Sequence, residues 1–162
     1  MLSALRPNDP RYSALPLPGG AGTDAIVLYV ICAWPVLDPY FRYLYAQEVG
    51  NNRLAASSEG YFLTQDTMKE GNPQQILERR EQVQVQLPPT IIVQGTNDDN
   101  VPMSIPERFI EAYWAMGGHI ELEVFPGMPH GFGNTPGPES DRALGLMKAF
   151  VARQLTGAAA AV

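Results

Sequence analysis

Two stretches of the chain are apolar with little alternation, and a third alternates strictly. Residues 25–32 (AIVLYVIC) and 90–94 (TIIVQ) have the pattern of strands covered on both faces, as in a parallel sheet. At 120–125, Ile120, Leu122 and Val124 alternate with Glu121 and Glu123, which predicts a strand with one wetter face near a sheet edge. Ile105, Phe109, Ala112, Tyr113 and Met116 fall at helical spacing. The S-x-x-E pattern from Ser104 to Glu107 predicts a capping box at the start of that helix, with Ser104 as the cap, and Gly117-Gly118 predicts its end. Ala143, Leu144, Met147, Phe150, Val151 and Leu155 mark a final amphipathic helix, with GAAAAV expected to fray beyond it. MLSALR reads as the last turns of a helix that stops before Pro7 and Pro10. Asn72-Pro73 reads as the cap and first residue of a helix running through Gln75–Arg80.

The order is helix end, strand, irregular cover, strand, helix, strand, helix. That alternation predicts an α/β fold with a mostly parallel sheet of about three strands and flanking helices. Residues 7–24 are rich in Pro and Gly and read as a loop. Residues 34–71, with Tyr40, Phe41, Tyr43, Tyr45, Tyr61 and Phe62, read as short helices and loops forming a lid or cover. Residues 81–89 read as a connection, and Pro88-Pro89 forces an extended entry into the next strand. A strand-helix-strand-helix unit follows at 90–155, and the length of 162 residues suits a single domain.

Composition narrows the partners. With 17 acidic against 11 basic residues and a net charge of −6, neither nucleic acid nor an anionic membrane surface is an expected partner. Cys32 is the only cysteine, so no internal disulfide forms, and no Cys/His cluster suggests a metal centre or a cofactor. The longest apolar run, 25–37, is broken by Pro35 and is shorter than the roughly 20 residues of a membrane-spanning helix. No charged-then-apolar signal pattern opens the chain, and the expected compartment is the cytoplasm.

The chemistry concentrates after the last two predicted strands. Asp98 follows Gln94 within a turn built from Gly95, Asn97 and Asn100, and His130 lies in PGMPHGFG, just past the strand at 120–125. Ligands and catalytic side chains collect beyond the carboxyl ends of strands in open α/β sheets. A carboxylate there can orient an imidazole, whose other nitrogen is then free to take a proton from a nucleophile. Asp99 is the alternative acid, with a solvated turn residue as its plain reading. His119, after Gly117-Gly118 at the start of a strand, falls at the other end of the sheet. Cys32 reads as a buried small apolar residue rather than a thiol nucleophile. Trp34 and Phe132 are candidates for lining a substrate pocket and equally for ordinary packing.

GTNDDNVP, PHGFG and the intervening pattern resemble the C-terminal half of α/β hydrolases, whose triad runs in the order nucleophile, acid, histidine. LRPNDPRYSALPLPGGAG, WPVLDP and EGNPQ extend the resemblance over nearly the whole chain, toward esterases of the feruloyl-esterase and hormone-sensitive-lipase type. The resemblance implies Asp98 as the acid, His130 as the base and a small-molecule ester as the substrate. It also implies a serine in G-x-S-x-G, and no such motif occurs in these 162 residues. The nucleophile and the oxyanion donors are therefore expected a short helix upstream of Met1, with this chain the C-terminal part of a hydrolase domain. The alternatives are a non-catalytic remnant or binding protein of the same fold, and a serine peptidase, since peptidases share the GTxDDNV turn. A half-domain of this kind is also expected to self-associate through its exposed sheet edge.

Overall fold

The computed structural model describes residues 1–7, 9–11, 26–80 and 86–159. Most of the loop expected at 7–24 and part of the connection at 81–89 lie outside them. Three parallel strands, β1 (Val30–Ala33), β2 (Thr90–Gly95) and β3 (Ile120–Phe125), form one sheet in the order β1-β2-β3. The register aligns Val30 with Thr90 and Thr90 with Ile120. All six residues of the central strand are buried, as their unbroken apolar run requires.

Helices cover both faces. On one face Cys32 and Ile92 pack against Leu5 of α1 (Leu2–Leu5), Ile76 and Leu77 of α5 (Pro73–Glu78), and Ile105, Phe109 and Tyr113 of α6 (Ser104–Ala115). On the other, Val93 and Phe125 pack against Ala143, Leu146 and Met147 of α7 (Pro138–Ala159). Glu121 belongs to this second face, at its margin, where Arg153 of α7 donates to it at 2.6 Å.

The cover consists of α2 (Pro39–Glu48), α3 (Asn52–Phe62) and α4 (Gln65–Glu70), which share a small core of Tyr43, Ala46, Leu54, Ala55 and Met68. A buried polar node ties this cover to the body. Asp38 caps α2 by accepting from Phe41 N at 2.9 Å and accepts from Asn72 Nδ2 at 2.7 Å. Asn72 in turn caps α5 by accepting from Gln75 N at 3.1 Å. Asp38→Ala removes a cap and leaves a buried amide unpaired, so it should destabilise the chain by about 2–4 kcal/mol. The urea midpoint at fixed protein concentration measures this.

Three local expectations are corrected. The first strand begins at Val30, and Ile26 and Leu28 upstream are exposed; Ala25 lies outside the described residues. A longer β1 would have to pair with Pro88 and Pro89, which carry no N–H, so the ladder starts where Val30 N donates to Pro89 O. Ser104 makes no capping box. Met103 already has helical geometry (φ −52, ψ −29), which makes Ser104 the first helical residue instead of the extended cap. The last helix runs from Pro138 through Ala159, so the first three residues of the stretch expected to fray are helical, and residues 160–162 lie outside the described residues. No helix among the described residues is long and apolar enough to cross a membrane.

Candidate active site

The carboxyl ends of all three strands converge on one place. Trp34 follows β1, Asp98 lies three residues beyond β2, and His130 lies five residues beyond β3. The structure brings Asp98 and His130 together, with His130 Nδ1 2.8 Å from Asp98 Oδ2.

The Asp98 side chain is 1% exposed, and all of its acceptor capacity is directed. Its Oδ1 accepts from the backbone N–H groups of Asn100 (2.9 Å) and Val101 (2.7 Å), which fixes the turn around the carboxylate. Its Oδ2 accepts from Gln94 Nε2 at 2.9 Å as well as from the imidazole. Gln94 also donates to Val101 O at 3.0 Å, so the amide braces both ends of the turn. A carboxylate oxygen only accepts, so Nδ1 of His130 carries the hydrogen, and in the neutral imidazole Nε2 then presents a lone pair. Among the described residues no side chain or backbone group bonds Nε2, and the imidazole is 30% exposed.

Close backbone approach places the histidine. A Cβ on Gly95 would stand 2.1 Å from Met128 O, so only glycine lets the loop after β3 lie against the end of β2. The two segments are stitched by Thr96 N to Phe125 O (3.0 Å), Asn97 N to Met128 O (3.0 Å) and Gly127 N to Thr96 Oγ1 (2.8 Å). Gly131, at φ +71, then reverses the chain just after the imidazole. Gly95→Ala must push that loop outward at an overpacking cost of about 1–3 kcal/mol. The expected result is a lower urea midpoint together with loss of the downfield N–H resonance of a carboxylate-bonded imidazole.

The aromatic candidates differ in placement. Trp34 is half-buried, with its ring centroid 6.4 Å from that of His130, and it holds a left-handed backbone (φ 40), uncommon for a bulky residue. Trp34 also contributes to a cavity of about 390 Å³ with Gly133, Pro136 and Met147. Phe132 is 7% exposed and packs on Phe125 and Trp34 at centroid distances of 4.8 and 5.3 Å, which places it in the core beneath the histidine loop. Asp99 is exposed. His119 precedes β3, at the opposite end of the sheet, 3.5 Å from Glu121. Cys32 lies on β1 with its side chain buried, and that burial pushes its thiol up to about 11. Among the described residues no cluster of three or more His, Cys, Asp or Glu is arranged to hold a metal ion.

Gln94 is the residue that sequence reasoning missed. Its signal was an amide closing an otherwise apolar, fully buried strand just ahead of an acidic turn.

Three parallel strands flanked by helices, with an acid and a histidine at adjacent strand ends, define an α/β-hydrolase fold. Residues 31–158 match the prolyl oligopeptidase family, and the chain belongs to that family. Among solved structures it is similar to a thermophilic esterase from the planctomycete Thermogutta terrifontis. The propionate-bound form is 24% identical over 86% of this chain and 47% of that one, with a TM-score of 0.59. The butyrate-bound form is 26% identical over 86% and 48%, with a TM-score of 0.58. The chain thus spans about half the length of these esterase chains. No curated protein sequence matches it.

Proposed function

We propose that this chain supplies the acid and the base of a hydrolase that cleaves carboxylic esters by acyl transfer, with a serine outside these 162 residues as nucleophile. The observation that carries the reading is the 2.8 Å contact between Asp98 and His130, which leaves Nε2 with a free lone pair. In the complete enzyme Nε2 takes the proton of the attacking serine hydroxyl, Asp98 stabilises the imidazolium, and Nε2 returns the proton to the departing alkoxide. Trp34 stands beside the imidazole and would flank the acyl or alcohol group. The likeness to an esterase solved with propionate and butyrate supports small acyl esters as substrates.

A second reading, cleavage of peptide bonds, draws on the prolyl oligopeptidase family match. Both use the same acid and base and differ in the leaving group. The in-frame DNA upstream of Met1 is expected to encode G-x-S-x-G, and the chain extended by that segment is expected to hydrolyse p-nitrophenyl butyrate. Turnover of peptide p-nitroanilides in preference to esters would favour the peptidase. Absence of an upstream G-x-S-x-G would leave a non-catalytic protein of this fold. Residues 1–162 alone should be inactive, and turnover by them would point to a nucleophile within the chain, such as Cys32 or a cover serine.

A further inference from the structure

The cover contains a half-buried cation that, among the described residues, forms no ion pair with a carboxylate. Arg42 of α2 is half-buried; its Nε donates to Asn100 Oδ1 at 2.8 Å and its Nη1 donates to Ser58 Oγ at a long 3.4 Å. Among the described residues no carboxylate lies within ion-pairing distance of the guanidinium. Asp98 acts on it only at longer range, and its oxygens are already committed to Gln94, His130 and two backbone N–H groups. Burial pulls the Arg42 pKa below its ordinary value, the mark of a charge partly stripped of water. A guanidinium has five N–H donors in a planar fork, and most of this fork is unspent.

Arg42 lines a cavity of about 600 Å³ between α1, α2 and α3, a volume typical of small-molecule sites, and also a smaller, polar one of about 340 Å³ with Arg53, Asp99 and Asn100. In the larger one Val36, Pro39, Tyr61 and Phe62 give apolar walls, Ser57 lines it as well, and Ser58 accepts from the guanidinium. An apolar chamber with one desolvated cation at its border fits a molecule with an alkyl or aryl body and one anionic end. The planar fork matches a carboxylate, which it can engage through two parallel hydrogen bonds.

We propose that this cavity binds a monocarboxylate with an apolar body, held by Arg42. The site requires no catalysis and stands whether or not the chain belongs to an esterase. It is nonetheless mechanically connected to the acid, because the Asn100 that accepts from Arg42 also donates its backbone N–H to Asp98 at 2.9 Å.

The test compares 4-phenylbutyrate with its neutral carboxamide by ligand-observed saturation-transfer NMR on residues 1–162. That method tolerates large assemblies, and every wall of the cavity comes from one chain. The acid should bind at least about tenfold tighter than the amide, in the range of a charge-assisted contact. Arg42→Met should erase the difference while leaving amide binding in place, which a merely structural role for Arg42 would not do. Arg42→Lys should restore part of the preference. Val36→Trp, which fills the cavity from its apolar wall and leaves Arg42 in the sequence, should abolish binding of both probes and covers the case in which Arg42→Met fails to fold. Equal binding of acid and amide, no binding of either, or binding that survives Val36→Trp would overturn the proposal. So would an acid preference that persists in Arg42→Met, which would assign it to the Met1 amino group at the cavity wall instead.

Discussion

In the chain extended upstream to a G-x-S-x-G serine, His130→Ala should lower kcat/KM toward short acyl p-nitrophenyl esters by about 10⁴-fold or more. Without the imidazole the serine loses its general base, and residual turnover would come from oxyanion stabilisation and substrate binding. Asp98→Asn should cost about 10³- to 10⁴-fold. The amide that replaces the carboxylate can donate to Nδ1, which favours the tautomer with its hydrogen on Nε2 and blocks the lone pair that the mechanism uses. Asp98 oxygens also hold the turn through Asn100 N and Val101 N, so part of the loss would come from a loosened loop. Asp99→Asn separates the two carboxylates of the turn. Asp99 is exposed, and its substitution should change kcat/KM by less than about threefold, as at an unengaged surface position. A loss at Asp99 equal to that at Asp98 would move the acid's role one residue along and sink the assignment.

The central strand and its neighbours were legible because burial leaves a direct trace in side-chain type. Thr90–Gly95 is covered on both faces, and its apolar run says so; the Glu121 and Glu123 alternation likewise marks β3 as the outer strand. The acid and histidine were legible for another reason. Each follows a strand directly, and parallel neighbours bring their carboxyl ends side by side.

What the sequence could not show depends on partners distant in the chain. Ile26–Leu28 has the same apolar character as the strand after it, yet the ladder starts at Val30 because the facing residues are prolines about sixty positions later. Ser104 and Glu107 satisfy a capping pattern, but the turn around Asp98 delivers Met103 already in helical geometry, and tertiary context outweighs the local preference. Gln94 and Arg42 take their roles from groups on other elements, the first from Asp98 and the second from Asn100 on a turn 58 residues away.

The remaining large effect concerns the open side of the sheet, and residues 1–162 by themselves should sediment as oligomers. β1 is the outer strand on that side, and among the described residues its far edge meets no other strand. Unpaired backbone N–H and C=O groups on a straight edge are a template for another strand. The side chains around this edge add an apolar driving force: Ile31 on β1 is 38% exposed, and Ile26 and Leu28 just before it are 56% and 66% exposed. Neither the helices on the two faces nor the cover shields them. Ile31→Lys places a charge on the edge, a common device for blocking edge pairing, and should shift the sedimentation profile toward monomer without lowering helix content. Extending the chain upstream should have the same effect by a different route, since a further strand would cover the edge and its apolar margin. Residues 1–162 sedimenting as a single monomeric species across micromolar concentrations would rule out this account of the edge. A self-sufficient, non-enzymatic domain would then become the better reading of the chain.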